Sequence, residues 1–89
     1  MYRVLFTEKS LNSLNKLPRR FQSKGEELIG ILSIDYRDNR LSTKKLKTKQ
    51  SLYSFRIGRN YRCIFEFADS STIRILDVKH RKDIYKRIR

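Results

Sequence analysis

Eighty-nine residues suffice for one domain, residues 1–89, with a modest core. A hydrophobic share of 38% with 11% aromatics excludes a disordered tail. Lysine and arginine number 22 against 9 acids, a net charge of +13, so polyanions are the expected partners: nucleic acid, ribosome, anionic membrane or an acidic protein. The single cysteine, Cys63, excludes an internal disulfide framework and a cysteine-based zinc site. MYRVLFTEKS has no apolar stretch of the kind a secretory signal needs, and no later segment is apolar enough to span a membrane, so a cytoplasmic location without membrane contact is expected.

Tyr2 to Phe6 is short and rich in β-branched and aromatic residues, and predicts a first strand. Thr7 is placed to cap a helix carrying Leu11, Leu14 and Leu17 at helical spacing. Pro18 marks a break, and Phe21, Leu28, Ile31 and Leu32 continue an apolar stripe through a second helix ending near Asp35. Tyr36 to Gln50 holds six Lys/Arg and one acid, and predicts a loop. Three strands follow: Leu52–Ile57, Tyr61–Phe67 and Thr72–Val78, joined by turns at Gly58 and at 68–71. Arg81 to Arg89 predicts a short helical turn. The order β-α-α-β-β-β predicts an α+β fold: an N-terminal strand, an αα-hairpin, then a three-stranded antiparallel meander, with helices on one face of a four-stranded sheet.

Alternation along a strand sorts the arginines. With Tyr53, Phe55, Ile57, Tyr61, Cys63, Phe65 and Phe67 turned to the helices, Arg56 and Arg62 share the other face, and Arg59 falls in the turn. Lys79, His80, Arg81 and Tyr85 close the chain nearby, so the open face is expected to gather guanidinium groups, one imidazole and one phenol. Guanidinium groups in such number form a phosphate-binding surface by composition, since their forks take phosphate oxygens two at a time. The same pattern also describes an ordinary solvated face in which Arg62 pairs with Glu66 or Asp77. Taken singly, a histidine such as His80 is more often structural or surface than catalytic, and a tyrosine such as Tyr85 more often packs. Lys44, Lys45, Lys47 and Lys49 form either a solvated loop or a patch that contacts nucleic-acid backbone. Cys63 reads as a small core residue.

Two stretches, LYSFRIGRNYRCIFEF (52–67) and DVKHRKDIYKR (77–87), carry a resemblance to the RelE/ParE toxin superfamily. Members read as Leu-Tyr-x-x-Arg-hydrophobic-Gly, then Tyr-Arg-x-hydrophobic-Tyr, then His-Arg-x-x-hydrophobic-Tyr. KKLKTKQ stands where the family has Lys-Leu-Lys-Gly, without the glycine, and the Leu-Pro that closes the first helix is also similar. The resemblance implies a toxin of a type II toxin–antitoxin system, RelE-like, and in that branch a ribosome-dependent mRNA endonuclease. The implied chemistry uses neither metal nor cofactor: a ribose 2′-hydroxyl attacks the adjacent phosphate, leaving a 2′,3′-cyclic phosphate and a 5′-hydroxyl. It needs a base, cations for the developing charge and an acid for the leaving oxygen.

By position, the resemblance makes Arg62 the phosphate-stabilising arginine and Arg56 a basic strand residue of the site. Lys79 and Arg81 flank its C-terminal motif, Tyr85 stacks on or orients substrate, and His80 is a candidate acid or base. Two departures concern the base. Ser54 stands where RelE has a lysine, and residues 41–52 contain no acid where a YoeB-like member would bring a glutamate. A gyrase-inhibiting ParE-like toxin and a degenerate, non-catalytic toxin are the alternatives. All three imply a cognate acidic antitoxin, held in a hetero-oligomer by complementary charge; the endonuclease reading adds ribosome and mRNA.

Overall fold

The computed structural model describes the backbone of residues 1–87 and the side chains of residues 1–84. In chain order it contains β1 (Arg3–Phe6), α1 (Glu8–Asn15), α2 (Arg19–Ile34), a 3-10 helix (Asn39–Leu41), β2 (Lys44–Lys45), β3 (Tyr53–Ile57), β4 (Tyr61–Asp69), β5 (Thr72–His80) and α3 (Arg81–Arg87). The expected α+β order is present. The sheet has five strands rather than four, in the order β1-β5-β4-β3-β2, because the basic segment expected as loop supplies the two-residue β2. β3, β4 and β5 form the antiparallel meander, and β1 lies parallel to β5 at one edge.

Local chemistry sets the elements. Thr7 is extended and its Oγ1 accepts from the Ser10 amide, which satisfies one of the first orphan N–H groups of α1. The same hydroxyl donates to the Leu76 carbonyl, 3.1 Å away, tying the start of α1 to the middle of β5. Pro18 occupies the position before α2, where its missing N–H costs nothing. Leu17, Leu28 and Leu32 meet Phe55, Ile57, Cys63, Phe65, Ile73, Ile75 and Val78 across the inner face of the sheet. Leu41, fully buried, anchors the 3-10 helix in that core. Each such aliphatic or aromatic side chain contributes about 1.5–3 kcal/mol by leaving water.

The outer face is not uniformly open. Leu52, Ile64 and Ile84 form a second apolar cluster, flanked by Leu46 and Leu76, so α3 is fastened to the face opposite α1 and α2. Its position depends on an irregularity in β5. Ile64 is opposite Asp77 but Phe65 is opposite Ile75, so Leu76 is an extra residue, a β-bulge. Ile73 and Ile75 face the inner core before it; after it Val78 does, Lys79 turns outward beside Arg62, and Asp77 reaches Ser13 of α1.

Among the described residues no helix is long and apolar enough to cross a membrane. The β3–β4 turn needs its glycine. Gly58 has φ +64°, and a Cβ there would stand 2.6 Å from the Phe21 ring. Gly58→Ala is therefore expected to destabilise the fold by about 1–3 kcal/mol or more, read as a lower urea midpoint with an unchanged slope.

Candidate functional site

The bulge and the meander place Arg56, Arg62 and Lys79 in one cross-strand row: Arg56 is opposite Arg62 on β3 and β4, and Arg62 is opposite Lys79 on β4 and β5. Like charges directly opposite one another oppose sheet formation. The fold manages two of the three with fixed partners. Lys79, largely buried, places its Nζ 3.2 Å from Asp77 Oδ2. Arg62, only 7% exposed, donates from Nε to Ser54 Oγ at 2.8 Å, and from Nη2 to the Ser42 carbonyl at 2.7 Å and the Ser54 carbonyl at 3.3 Å. These bonds fix the plane of the guanidinium against the sheet. Arg56 is exposed.

Around that row lies a groove of about 310 Å³ lined by Lys44, Arg56, Arg59, Arg62, Arg81 and Lys82. All six are cations. Lys44 arrives from β2, opposite Ser54. Arg81 opens α3, and its amide donates to the Asn60 carbonyl at 2.7 Å, which draws the start of α3 against the β3–β4 turn that carries Arg59. Strand edge, strand face, turn and helix start thus converge on one concavity. Its chemistry suits a phosphate or phosphodiester: several hydrogen-bond donors of fixed geometry and no lining carboxylate among the described residues.

Of the residues singled out from sequence, Arg56, Arg62, Arg81 and Lys44 meet in this groove. Lys79 stands beside Arg62 in the row but is engaged with Asp77. His80 does not join them. It is opposite Tyr61 on the other face, its ring 5.6 Å from the Tyr61 ring, and its Nδ1 accepts from the Lys82 amide. The expectation that imidazole and guanidinium share a face is corrected on this geometry, since adjacent strand residues alternate and Lys79 takes the outward place. Tyr85 belongs to α3 by its backbone, and its side chain lies outside the described residues. Lys45, Lys47 and Lys49 are exposed but do not line the groove.

The carboxylates expected as partners of Arg62 are otherwise occupied. Glu66 holds Arg74 at 2.9 Å, and Asp77 holds Lys9 and Lys79 and accepts from Ser13 Oγ. Cys63 is fully buried and burial pushes its thiol well up, consistent with a core residue. Sequence reasoning missed Arg59, Lys82, Ser54 and Ser42. The pattern puts Arg59 only at the tip of a turn, but the Arg81–Asn60 bond folds that turn onto the groove. Ser54 stands where a lysine is expected, yet it is the acceptor that orients Arg62; its place on the outward face of β3, one strand from Arg62, was the available signal.

With this geometry in place, the chain can be set beside known proteins. Residues 4–85 match the family model described as the ParE toxin of the type II toxin–antitoxin system parDE. The chain belongs to the RelE/ParE toxin superfamily. Solved structures agree with this toxin assignment. The RelBE2 toxin–antitoxin complex of Mycobacterium tuberculosis contains a chain 34% identical, with 90% of this chain and 98% of that one covered and a TM-score of 0.72. The archaeal RelE–RelB complex of Pyrococcus horikoshii OT3 matches at 27% identity over 90% and 94%, TM-score 0.74. The RelB–RelE complex of Methanococcus jannaschii matches at 28% over 92% and 95%, TM-score 0.74. No curated protein sequence matches.

Two outcomes test how this toxin holds its groove. Ser54→Ala leaves Arg62 Nε without its acceptor and is expected to cost about 1–3 kcal/mol in urea unfolding. The second concerns Asp77. Burial pushes its carboxyl up, but hydrogen bonds from Ser13, Lys79 and the Val78 amide outweigh this and hold it below the ordinary value. The stability this gives is complete above the unfolded-state value and is lost as pH falls through the folded one, so the loss begins below about pH 4. Unfolding midpoints measured against pH are expected to fall less steeply in acid for Asp77→Asn than for wild type.

Proposed function

We propose that this toxin is a ribosome-dependent mRNA endonuclease of the RelE kind, and that the six-cation groove is where the scissile phosphate sits. The observation that carries the reading is the concavity, lined by cations alone among the described residues, built around an immobilised Arg62. In the proposed reaction the ribose 2′-oxygen, losing its proton, bonds to the neighbouring phosphorus. The bond to the 5′-oxygen breaks, and that oxygen gains a proton, leaving a 2′,3′-cyclic phosphate and a 5′-hydroxyl.

Arg62 and Arg81 bind the non-bridging oxygens as their charge grows, and Arg56, Arg59, Lys44 and Lys82 hold the flanking backbone. A donor fixed before the reaction is worth more than one that must reorganise, and losing one costs about 10²–10³ in rate. His80 lies on the far face and has no part in this scheme.

The family model's description, a ParE toxin, supports a second reading, a ParE-like toxin, whose target on the resemblance would be gyrase. In either case the proposed partner in storage is an acidic antitoxin in a hetero-oligomer. The structural neighbours are toxin–antitoxin complexes, and a +13 chain gains most from a partner of opposite sign. A cytoplasmic location goes with both targets.

Primer extension on messages after brief induction separates the readings. Cuts inside translated codons are expected from wild type, and their loss from a folded Arg62→Ala protein; His80→Gln is expected to keep the cuts. Growth arrest without cuts would overturn the endonuclease in favour of the gyrase reading. For RNA held in the groove, Arg56→Ala is expected to make log affinity fall less steeply with log salt, by about 0.7 for each phosphate that Arg56 neutralises.

A further inference from the structure

A second and larger cavity, of about 490 Å³, adjoins the groove at β2. Its walls include Tyr36, Arg37, Asp38, Asn39, Lys45 and Tyr53. Lys44 and Lys45, consecutive on a two-residue strand, point to opposite sides of it, and each lines one of the two cavities. Ser42 belongs to the walls of the second cavity and its carbonyl accepts from Arg62 of the first. Ser42 is also the one described non-glycine residue with positive φ, 48°, a conformation the surrounding bonds must maintain.

The lining chemistry differs from that of the groove. Two aromatic rings are exposed to it, each attended by a cation: the Arg37 guanidinium lies 5.3 Å from the Tyr36 ring centre and Lys45 Nζ 6.0 Å from that of Tyr53. The Tyr53 ring is backed by Phe65, stacked at 5.6 Å and 19°. Asp38 stands in the wall, and the Arg40 guanidinium hydrogen-bonded to it holds its carboxyl down at about 2, so it is charged at neutral pH. A carboxylate in the wall disfavours a phosphate. A flat, uncharged, hydrogen-bonding group is favoured, with Tyr53 to stack on and the Asn39 side chain at the rim. The loop is built in advance: Thr43 Oγ1 donates to the Tyr36 carbonyl at 2.6 Å, and Asp38 accepts from the Arg40 amide at 2.9 Å.

We propose that this tyrosine-walled cavity is a nucleobase pocket, which takes one unstacked base of the single-stranded RNA whose phosphate occupies the arginine groove. The strand turns around the short edge strand β2, phosphate on the Lys44 side and base on the Lys45 side. This rests on the RNA reading of the groove, and adds to it a point at which a base, not only backbone, is felt.

The test is a fluorescence-anisotropy titration of the chain with a short single-stranded 2′-O-methyl RNA, which cannot be cut. One abasic nucleotide is walked along its length. Stacking on an aromatic ring makes the loss of the correct base cost about tenfold in affinity. One position is expected to show that loss in wild type and none in Asn39→Trp, whose new ring fills the pocket from an exposed site; Tyr53→Leu is expected to behave the same way. A flat abasic profile, with binding still lost in Arg62→Ala, would overturn the base pocket and leave the phosphate groove standing. An abasic loss that persists undiminished in Asn39→Trp would also overturn it. No binding of RNA by wild type would overturn the base pocket, while cleavage of messages on ribosomes judges the phosphate groove separately.

Discussion

The arrangement of charge on this toxin depends on one extra residue in β5. Ile73 and Ile75 set an inward parity that, continued without interruption, would carry Asp77 and Lys79 into the apolar core and turn Val78 and His80 outward. The bulge at Leu76 reverses the parity, because a one-residue slip exchanges the two faces of a strand. Val78 then completes the inner core, while Asp77 meets Ser13 and Lys9, and Lys79 takes the place beside Arg62. The hydroxyl of Thr7 is bonded to the carbonyl of the bulged residue itself, so the start of α1 helps hold the irregularity in place.

The second constraint is electrostatic. A sheet that sets Arg56, Arg62 and Lys79 side by side works against its own stability. Asp77 offsets the third charge, and hydroxyl and carbonyl oxygens orient the second. Arg56, with Arg59, Arg81 and Lys82 around it, faces the groove. On the proposed reading, local cost of this kind is what an anion-binding surface entails. The apolar cluster of Leu52, Ile64 and Ile84 beneath α3 makes the arrangement tolerable: it fixes the start of that helix and therefore Arg81.

Much of this was legible in sequence. The period of two in 53–57 and 61–67 and the leucine spacing of the helices follow directly from burial on one face, and they place Arg56 and Arg62 together. What could not be read was the bulge. Ile73, Ile75, Leu76 and Val78 are all apolar, so nothing in the residues says which of them is the extra one, and the face of His80 depends on that choice. β2 was hidden for a different reason. Two exposed lysines carry no burial pattern, and their strand character comes from pairing with Tyr53 and Ser54. Ser54 shows a third limit: its role comes from a side chain eight residues away, and comparison with a lysine at that position suggests a loss where the fold has an orienting hydrogen bond.

The central claim is that an arginine held in one plane, rather than positive charge alone, makes this groove a catalyst. Arg62→Lys tests it most directly, because it keeps the charge and removes the fork that bonds Ser54 and Ser42. The measurement is the rate of message cleavage on programmed ribosomes, with the variant's folding checked by urea unfolding. A fall of about 10²-fold or more in the folded variant is predicted. Cleavage within a few-fold of wild type would contradict the account and reduce the groove to a diffuse cationic surface.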